Sequence, residues 1–121
     1  MTDKKDTVEP DGLAITSATV DDVEVITVSG EIDYHTCEFL RQALRFPAST
    51  GVPRMVVDLS GVTFMDSSGI NILISARSAI CGANGWLRLA GATGSVLRTL
   101  QLVGLDTIID CYSTVREAVD A

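Results

Sequence analysis

The chain has 121 residues, of which 46% are hydrophobic and 21% charged, and its formal net charge is −7. This length and composition fit one compact domain that buries its own core without disulfides or a metal ion. The acidic balance argues against nucleic acid or an anionic membrane as the main partner, because clustered Lys and Arg bind both. Three widely spaced cysteines without a CxxC pair, with one histidine, fit no ordinary zinc site and indicate a reduced, cytoplasmic protein.

The first eleven residues, MTDKKDTVEPD, are mostly charged and offer almost nothing to bury. We therefore expect residues 1–11 to form a mobile tail and residues 12–121 to form the single domain. The start of the chain lacks the apolar core of a signal peptide, and no apolar run approaches the roughly 18 residues of a membrane span. The sequence thus predicts no membrane partner.

The domain begins with two runs rich in β-branched residues, LAITSATV and VEVITVSG, which flank Asp21 and Asp22. This pattern predicts an antiparallel hairpin. The segment GEIDYHT then leads into CEFLRQALRF, whose apolar residues recur at helical spacing, with Asp33 or Thr36 as a candidate cap. The Val-rich run RMVVDL predicts a buried parallel strand, followed by the loop SGVTFMDSSG.

A long helix is expected from about Ser67 to Cys81, and then a strand, WLRLA. A third helix closed by Gly104, a short strand over residues 106–110 and a last helix opened by a Thr114/Glu117 capping box complete the chain. The order predicts an α/β domain. Its small mixed β-sheet consists of an opening antiparallel hairpin and then parallel strands, flanked by about four helices.

Two polar loops, GEIDYHT and FMDSSG, follow strands whose carboxyl ends form the usual ligand or partner surface of such a sheet. On a helical wheel that starts at Ser67, the polar residues of the long helix fall within one arc of about 100°. We call this arc the docking strip; its residues are Ser67, Ser68, Asn71, Ser75 and Ser78. The wide apolar arc comprises Ile70, Ile72, Leu73, Ile74, Ala76, Ala79, Ile80 and Cys81, with Arg77 as its one charged residue.

The docking strip has short neutral side chains where a solvated helix face usually has Lys and Glu. Such a surface lets another protein approach the backbone closely with few side chains to order. The alternative is a helix that packs small residues against the protein's own tail or a neighbouring loop. The pattern alone leaves both interpretations open.

Ser67 has three interpretations at the start of this helix. It could be an ordinary N-cap, a nucleophile or a phosphoacceptor. Nucleophilic catalysis is disfavoured because the sole histidine, His35, lies in the other loop and no GxSxG motif is present. A phosphoacceptor needs only an exposed hydroxyl, since the kinase supplies the base.

At these residues the chain resembles the anti-sigma factor antagonists of the STAS domain family. The resemblance rests on GEIDYHT, on VVDLSGVTFMDSSGINILISA and on LVGLDTIIDCYSTVREAV, and it extends from Leu13 to the C-terminus. It implies a STAS-like fold and a bacterial partner-switching protein of transcription regulation, without catalysis of its own. The unphosphorylated form would bind an anti-sigma factor, which is also a serine protein kinase, and release a sigma factor.

The resemblance also implies that phosphorylation ends the complex and that a PP2C-type phosphatase restores the active form. The acceptor carried over from DSSG is Ser67 rather than Ser68, with Asp66, Ser68 and Gly69 shaping the loop. Asp33 becomes a candidate contact for the kinase or its nucleotide, or else a helix cap. Asn71 stands where many members have a second glycine. The alternative function is a STAS scaffold or sensor-associated module without sigma-linked switching.

Overall fold

The computed structural model describes residues 12–45 and 51–121, so the expected tail over residues 1–11 lies outside the described residues. Over these residues the chain forms a five-stranded mixed sheet with four α-helices, as the sequence predicts, and the strands lie in the order β1-β2-β3-β4-β5. The strands are β1 (Leu13–Val20), β2 (Val23–Ile32), β3 (Arg54–Met65), β4 (Trp86–Ala90) and β5 (Cys111–Tyr112). The helices are α1 (Cys37–Ala43), α2 (Ser67–Gly82), α3 (Gly94–Leu102) and α4 (Val115–Asp120).

The opening hairpin is confirmed. β1 and β2 pair antiparallel without a register shift from Leu13 opposite Gly30 to Val20 opposite Val23. Both turn residues are left-handed, with φ of 52° at Asp21 and 67° at Asp22, as a two-residue turn between twisted strands requires. The other three pairings are parallel.

β3 is longer than expected, because it continues through the segment predicted to be a loop and ends only at Met65. Two register shifts against β2 absorb one extra residue each in β3. Gly61 makes this possible, since a Cβ there would lie 2.6 Å from the Cβ of Ser29. The sequence predicts that β3 ends at residues 60 and 61, but in the structure the strand bulges there and continues.

The sheet separates two apolar layers. On one face α1, α2 and α3 cover the larger cluster, which includes Leu40, Leu73 and Leu100. On the other face α4 covers a smaller cluster around Val56 and Ala118. Over the part of the chain that the structure describes, no helix is long and apolar enough to cross a membrane.

The expectation of a strand over residues 106–110 is wrong. A 3₁₀ turn occupies Leu105–Thr107, and the strand β5 comes later, at Cys111–Tyr112. Gly104 has a φ of 77° and turns the chain, so the amides of residues 107 to 109 bond back to carbonyls of Gly104 and Leu105. Leu105 and Ile109 are buried as anchors of this turn rather than as alternating strand residues. The predicted capping box of α4 is present, since Thr114 Oγ1 accepts from the Glu117 amide at 3.1 Å.

Candidate phosphoacceptor and docking site

The two polar loops meet at the carboxyl ends of β2 and β3. Ile32 pairs with Met65 in the last position of the ladder, and the next amide, that of Asp66, donates to the Ile32 carbonyl at 3.1 Å. The backbone therefore holds the segment after Ile32 beside the first turn of α2. The predicted neighbourhood of the two loops is observed.

Asp66, rather than Ser67, is the N-cap of α2. Its backbone is extended, and its Oδ1 accepts from the Ser68 amide at 2.8 Å. Ser67 is the first helical residue, and its side chain is exposed. The N-cap interpretation of Ser67 is therefore wrong, because the preceding carboxylate already performs that role. Its exposed hydroxyl leaves the phosphoacceptor interpretation open.

Gly69 is buried where α2 crosses the ends of β2 and β3. A Cβ on this residue would lie 2.7 Å from Ile32 Cγ2 and 2.8 Å from Met65 Cγ. Ile32 and Met65 are themselves buried, so neither side chain has space to move aside. The absence of a side chain at Gly69 lets α2 begin close to the sheet, and this closeness sets the position of Ser67.

Asp33 opens a tight turn that leads into α1. Its Oδ1 accepts from the His35 amide at 2.9 Å and from the Thr36 amide at 3.0 Å. The Thr36 amide, followed by the His35 amide, holds the pKa of the Asp33 carboxyl below its ordinary value, although desolvation opposes this effect. The buried Thr36 hydroxyl donates to the Glu31 carbonyl at 2.9 Å and accepts from the Asp33 amide at 3.0 Å. The N-cap position of α1 belongs to Thr36, which makes no side-chain cap hydrogen bond. The expectation that Asp33 caps this helix is therefore wrong, because its carboxylate closes the turn before the helix. Its role as a partner contact stays a prediction.

The docking strip runs down one side of α2. Ser67, Asn71, Ser75 and Ser78 are exposed, and Ser68 is half-buried. The apolar arc is narrower than the wheel predicts, because Ile74, Ala79 and Cys81 are also exposed. Only Gly69, Ile70, Ile72, Leu73 and Ile80 of this helix are buried. The wheel overestimates the buried face because β3, β4 and α1 cover only part of the circumference of α2.

A groove of about 510 Å³ separates α2 from α1. Asn71 and Ser75 of the docking strip form part of one wall, and Arg41 and Arg45 of α1 and its C-terminal end lie opposite. The sequence interpretation missed both arginines, although their spacing of four residues would have placed them on one side of a helix. The remaining lining is apolar: Leu44, Ile72, Ala76 and Ala79.

No carboxylate lines this groove within the described ranges, in a chain with 16 acidic and 9 basic residues. Arg41 does pair with Glu38 at 3.0 Å, but both side chains are more than half exposed. The groove wall beside the docking strip therefore has two guanidinium groups, one of which is paired with a carboxylate outside the lining. Tyr34, 78% exposed and in edge contact with the His35 ring, adds an aromatic side chain on the loop before α1. Sequence spacing gave no signal for it.

A mixed sheet with helices on both faces, and an exposed serine at the start of a helix beside two adjoining loops, define a small α/β domain. The sequence profile of the STAS domain family matches residues 14–118. The chain belongs to the STAS domain family.

Several known proteins are similar to this chain in both sequence and fold. The anti-sigma-F factor antagonist RsfB of Mycobacterium tuberculosis is 31% identical over 110 residues, which cover 91% of this chain and 89% of RsfB. The crystal structure of an anti-sigma factor antagonist from Mycobacterium paratuberculosis is 31% identical, has a TM-score of 0.79 and covers 92% of this chain and 94% of that one. SpoIIAA, an anti-sigma factor antagonist solved in its unphosphorylated form, is 26% identical with a TM-score of 0.70, over 88% and 94% of the two chains.

Proposed function

We propose that this protein is an anti-sigma factor antagonist, switched off by phosphorylation of Ser67. The observation that carries the proposal is the exposed Ser67 hydroxyl at the first residue of α2, directly above the docking strip. Relatives that bear the name anti-sigma factor antagonist and match about nine tenths of the chain support the same assignment.

In the unphosphorylated form, the docking strip and the neighbouring Asp33 turn bind the anti-sigma factor. The exposed side chains of Asn71, Ser75 and Ser78 are short and neutral, so the partner approaches the α2 backbone without desolvating a charge or ordering long side chains. The turn at Asp33 is held by hydrogen bonds to its own backbone, which makes it a rigid part of the surface. Binding sequesters the anti-sigma factor and thereby releases the sigma factor.

Phosphorylation places about −1.5 to −2 charges at the head of this surface. The helix dipole of α2 tolerates an anion there. However, the Asp66 carboxylate already takes the Ser68 amide, which leaves one N–H fewer to hold the phosphate. The phosphate therefore stays hydrated and faces the partner. Burying an unpaired charge in an interface costs about 3–5 kcal/mol, equivalent to roughly a hundredfold to several-thousandfold loss of affinity.

The protein itself performs no catalysis in this scheme. The anti-sigma factor, acting as a serine protein kinase, supplies the general base that deprotonates the Ser67 hydroxyl, and a PP2C-type phosphatase removes the phosphate. Asp66 and Gly69 fix the first turn of α2, so that the Ser67 hydroxyl is presented at a constant height above the sheet. Ser68, whose amide Asp66 binds, completes the turn.

Peptide-mapped mass spectrometry of the protein from its native cells, with and without phosphatase treatment, tests the modification. A single phosphate on Ser67 is the expected result. A phosphate on Ser68 would correct the site, and no phosphate under any growth condition would overturn the switch.

Binding to the anti-sigma factor kinases of the source organism, each purified and tested in turn, checks the mechanism. Ser67→Ala is expected to bind like the parent and to resist phosphorylation, whereas Ser67→Asp should bind at least tenfold more weakly. Ser113→Asp is the matched control, because it adds the same charge at an exposed serine before α4, which covers the other face of the sheet. Equal binding by Ser67→Asp and Ser113→Asp would contradict the electrostatic account.

A further inference from the structure

The outer edge of β1 carries a row of backbone groups that point away from the sheet. The Glu31 amide donates to the Gly12 carbonyl, so Gly12 and Glu31 form a hydrogen-bonded pair of the antiparallel ladder. Such pairs recur at every second residue, which directs the even-numbered residues of β1 towards β2. The N–H and C=O groups of residues 13, 15, 17 and 19 therefore point outward. Among the described strands, none pairs with this edge.

The β1 edge lacks the features that usually keep such edges unpaired. Proteins protect exposed edges with charges, proline, bulges or very short strands. The sequence of β1, LAITSATV, contains no charged residue and no proline, and its eight residues pair with β2 without a bulge. The opposite edge of the sheet differs, because β5 has only two residues.

A side chain of α1 extends this edge into a surface. α1 packs over β1 and β2, and its side towards α2 is marked by Arg41 and Arg45, which line the groove. With Leu40 buried against the sheet, Phe39 lies about 100° around the helix on the other side, the side of the β1 edge. Phe39 is 39% exposed. An outward β-edge and a half-exposed aromatic residue thus lie on the same flank of the domain.

We propose that this flank binds a second copy of the chain, through antiparallel pairing of β1 with the partner's β1 about a two-fold axis near Thr16. This register pairs all four outward residues of each copy and continues the two sheets into one. When two identical strands pair antiparallel, a charged side chain on one lies near a like charge on the other. β1 contains no charged residue, so its pairing with a second β1 causes no such repulsion.

The helices fit the same arrangement. α1 packs on both β1 and β2, so pairing of the two β1 strands brings the α1 helices of both copies onto the same face of the joined sheet. The exposed Phe39 of each copy then lies beside the new strand pair and loses part of its exposure to water. The two β1 edges are consumed by the pairing, so assembly through this surface stops at the dimer.

Sedimentation equilibrium of the full chain between about 1 and 200 µM tests the proposal. A concentration-dependent shift towards twice 12.8 kDa is the expected result. Because each copy carries a net charge of −7, the dimer should also become tighter as salt screens the repulsion. A monomer over the whole range would overturn the proposal. Amide hydrogen exchange gives a second test. A monomer whose amides at residues 13, 15, 17 and 19 are protected from exchange would also overturn the proposal, because the chain's own N-terminal segment would then cover the edge.

Ser17→Pro removes one outward N–H from each copy and leaves the bonds of β1 to β2 intact, so the variant should fold and raise the dimer dissociation constant at least tenfold. Ser17→Ala is the matched control, because it keeps the amide and should dimerise like the parent. Phe39→Ala should weaken the dimer, whereas Phe64→Ala, at an exposed phenylalanine of β3, should not. Parent-like dimerisation of Ser17→Pro, with its fold verified by circular dichroism, would refute pairing through β1.

Discussion

Replacing Gly69 by alanine tests whether the start of α2 is held at the sheet by close packing. The new methyl group would lie 2.7 Å from Ile32 Cγ2 and 2.8 Å from Met65 Cγ, closer than carbon atoms can approach. Ile32 is fully buried and Met65 is 4% exposed, so relief requires a shift of α2 itself. Ser67, two residues earlier, would move with it.

Two opposing effects determine the size of the change. Alanine gains about 1 kcal/mol over glycine in a helix, and overpacking a well-filled core costs about 1–3 kcal/mol. We expect Gly69→Ala to lower the free energy of unfolding by about 1 kcal/mol. Gly82, in the last turn of the same helix, has open space at its Cβ position. Gly82→Ala should therefore raise the stability by about 0.5 kcal/mol, the lower end of the helix-propensity gain.

Urea denaturation and thermal melting of the two variants measure the difference. The two Tm values should differ by about 5 °C, with Gly69→Ala the lower, since 1 kcal/mol shifts the Tm of a domain of this size by about 3–4 °C. The packing argument would be refuted if Gly69→Ala were as stable as Gly82→Ala or more stable, because both variants gain the same helical propensity. A parent-like rate of Ser67 phosphorylation in Gly69→Ala would show that the acceptor does not depend on this contact.

Thr36→Val should cost about 1 kcal/mol in urea denaturation, because two part-buried backbone groups, the Asp33 amide and the Glu31 carbonyl, lose their hydroxyl partner. Thr36→Ser keeps the hydroxyl and should cost less. Asp33→Asn should be less stable than the parent at neutral pH. Folding lowers the pKa of Asp33, so the ionised carboxylate stabilises the folded state above the ordinary pKa of 3.8. This stabilisation is lost as the pH falls through the lower pKa of the folded state. The stability difference between the parent and Asp33→Asn should therefore shrink in acid. Arg116→Ala removes the exposed 3.1 Å pairs to Asp21 and Asp120 and should lower the Tm only slightly, because exposed ion pairs contribute little to stability. Melting in about 0.5 M salt, where the Debye length is shorter, should reduce even this difference.

Much of the fold follows from local signals in the sequence. Asp21 and Asp22 tolerate left-handed backbone between two β-branched runs, so they specify the hairpin. The apolar spacing of α2 and the Thr114 capping box of α4 act within single helices and predict them nearly to the residue. The mixed sheet follows because strands that alternate with helices after a hairpin pair in parallel.

The remaining features depend on contacts between elements that are distant in the sequence. Ser60 and Gly61 end a strand by local preference, but their pairing with β2 extends it. The run 106–110 is apolar enough for a strand, yet the buried positions of Leu105 and Ile109 select a turn. In the site, the N-cap role of Asp66 and the arginine wall of the groove became evident only when neighbouring elements were in place.

The two sides of α1 separate two surfaces of the molecule. Arg41 and Arg45 face the groove beside the docking strip, whereas Phe39 faces the β1 edge, so dimer formation leaves Ser67 accessible. An axis perpendicular to the joined sheet keeps both docking strips on the same face. A partner with two binding sites would then engage both strips, and the second contact would form at the effective concentration set by the dimer. Ser17→Pro should accordingly weaken binding to a two-site partner and leave binding to a single-site partner unchanged, which a surface plasmon resonance comparison at high and low partner density would resolve.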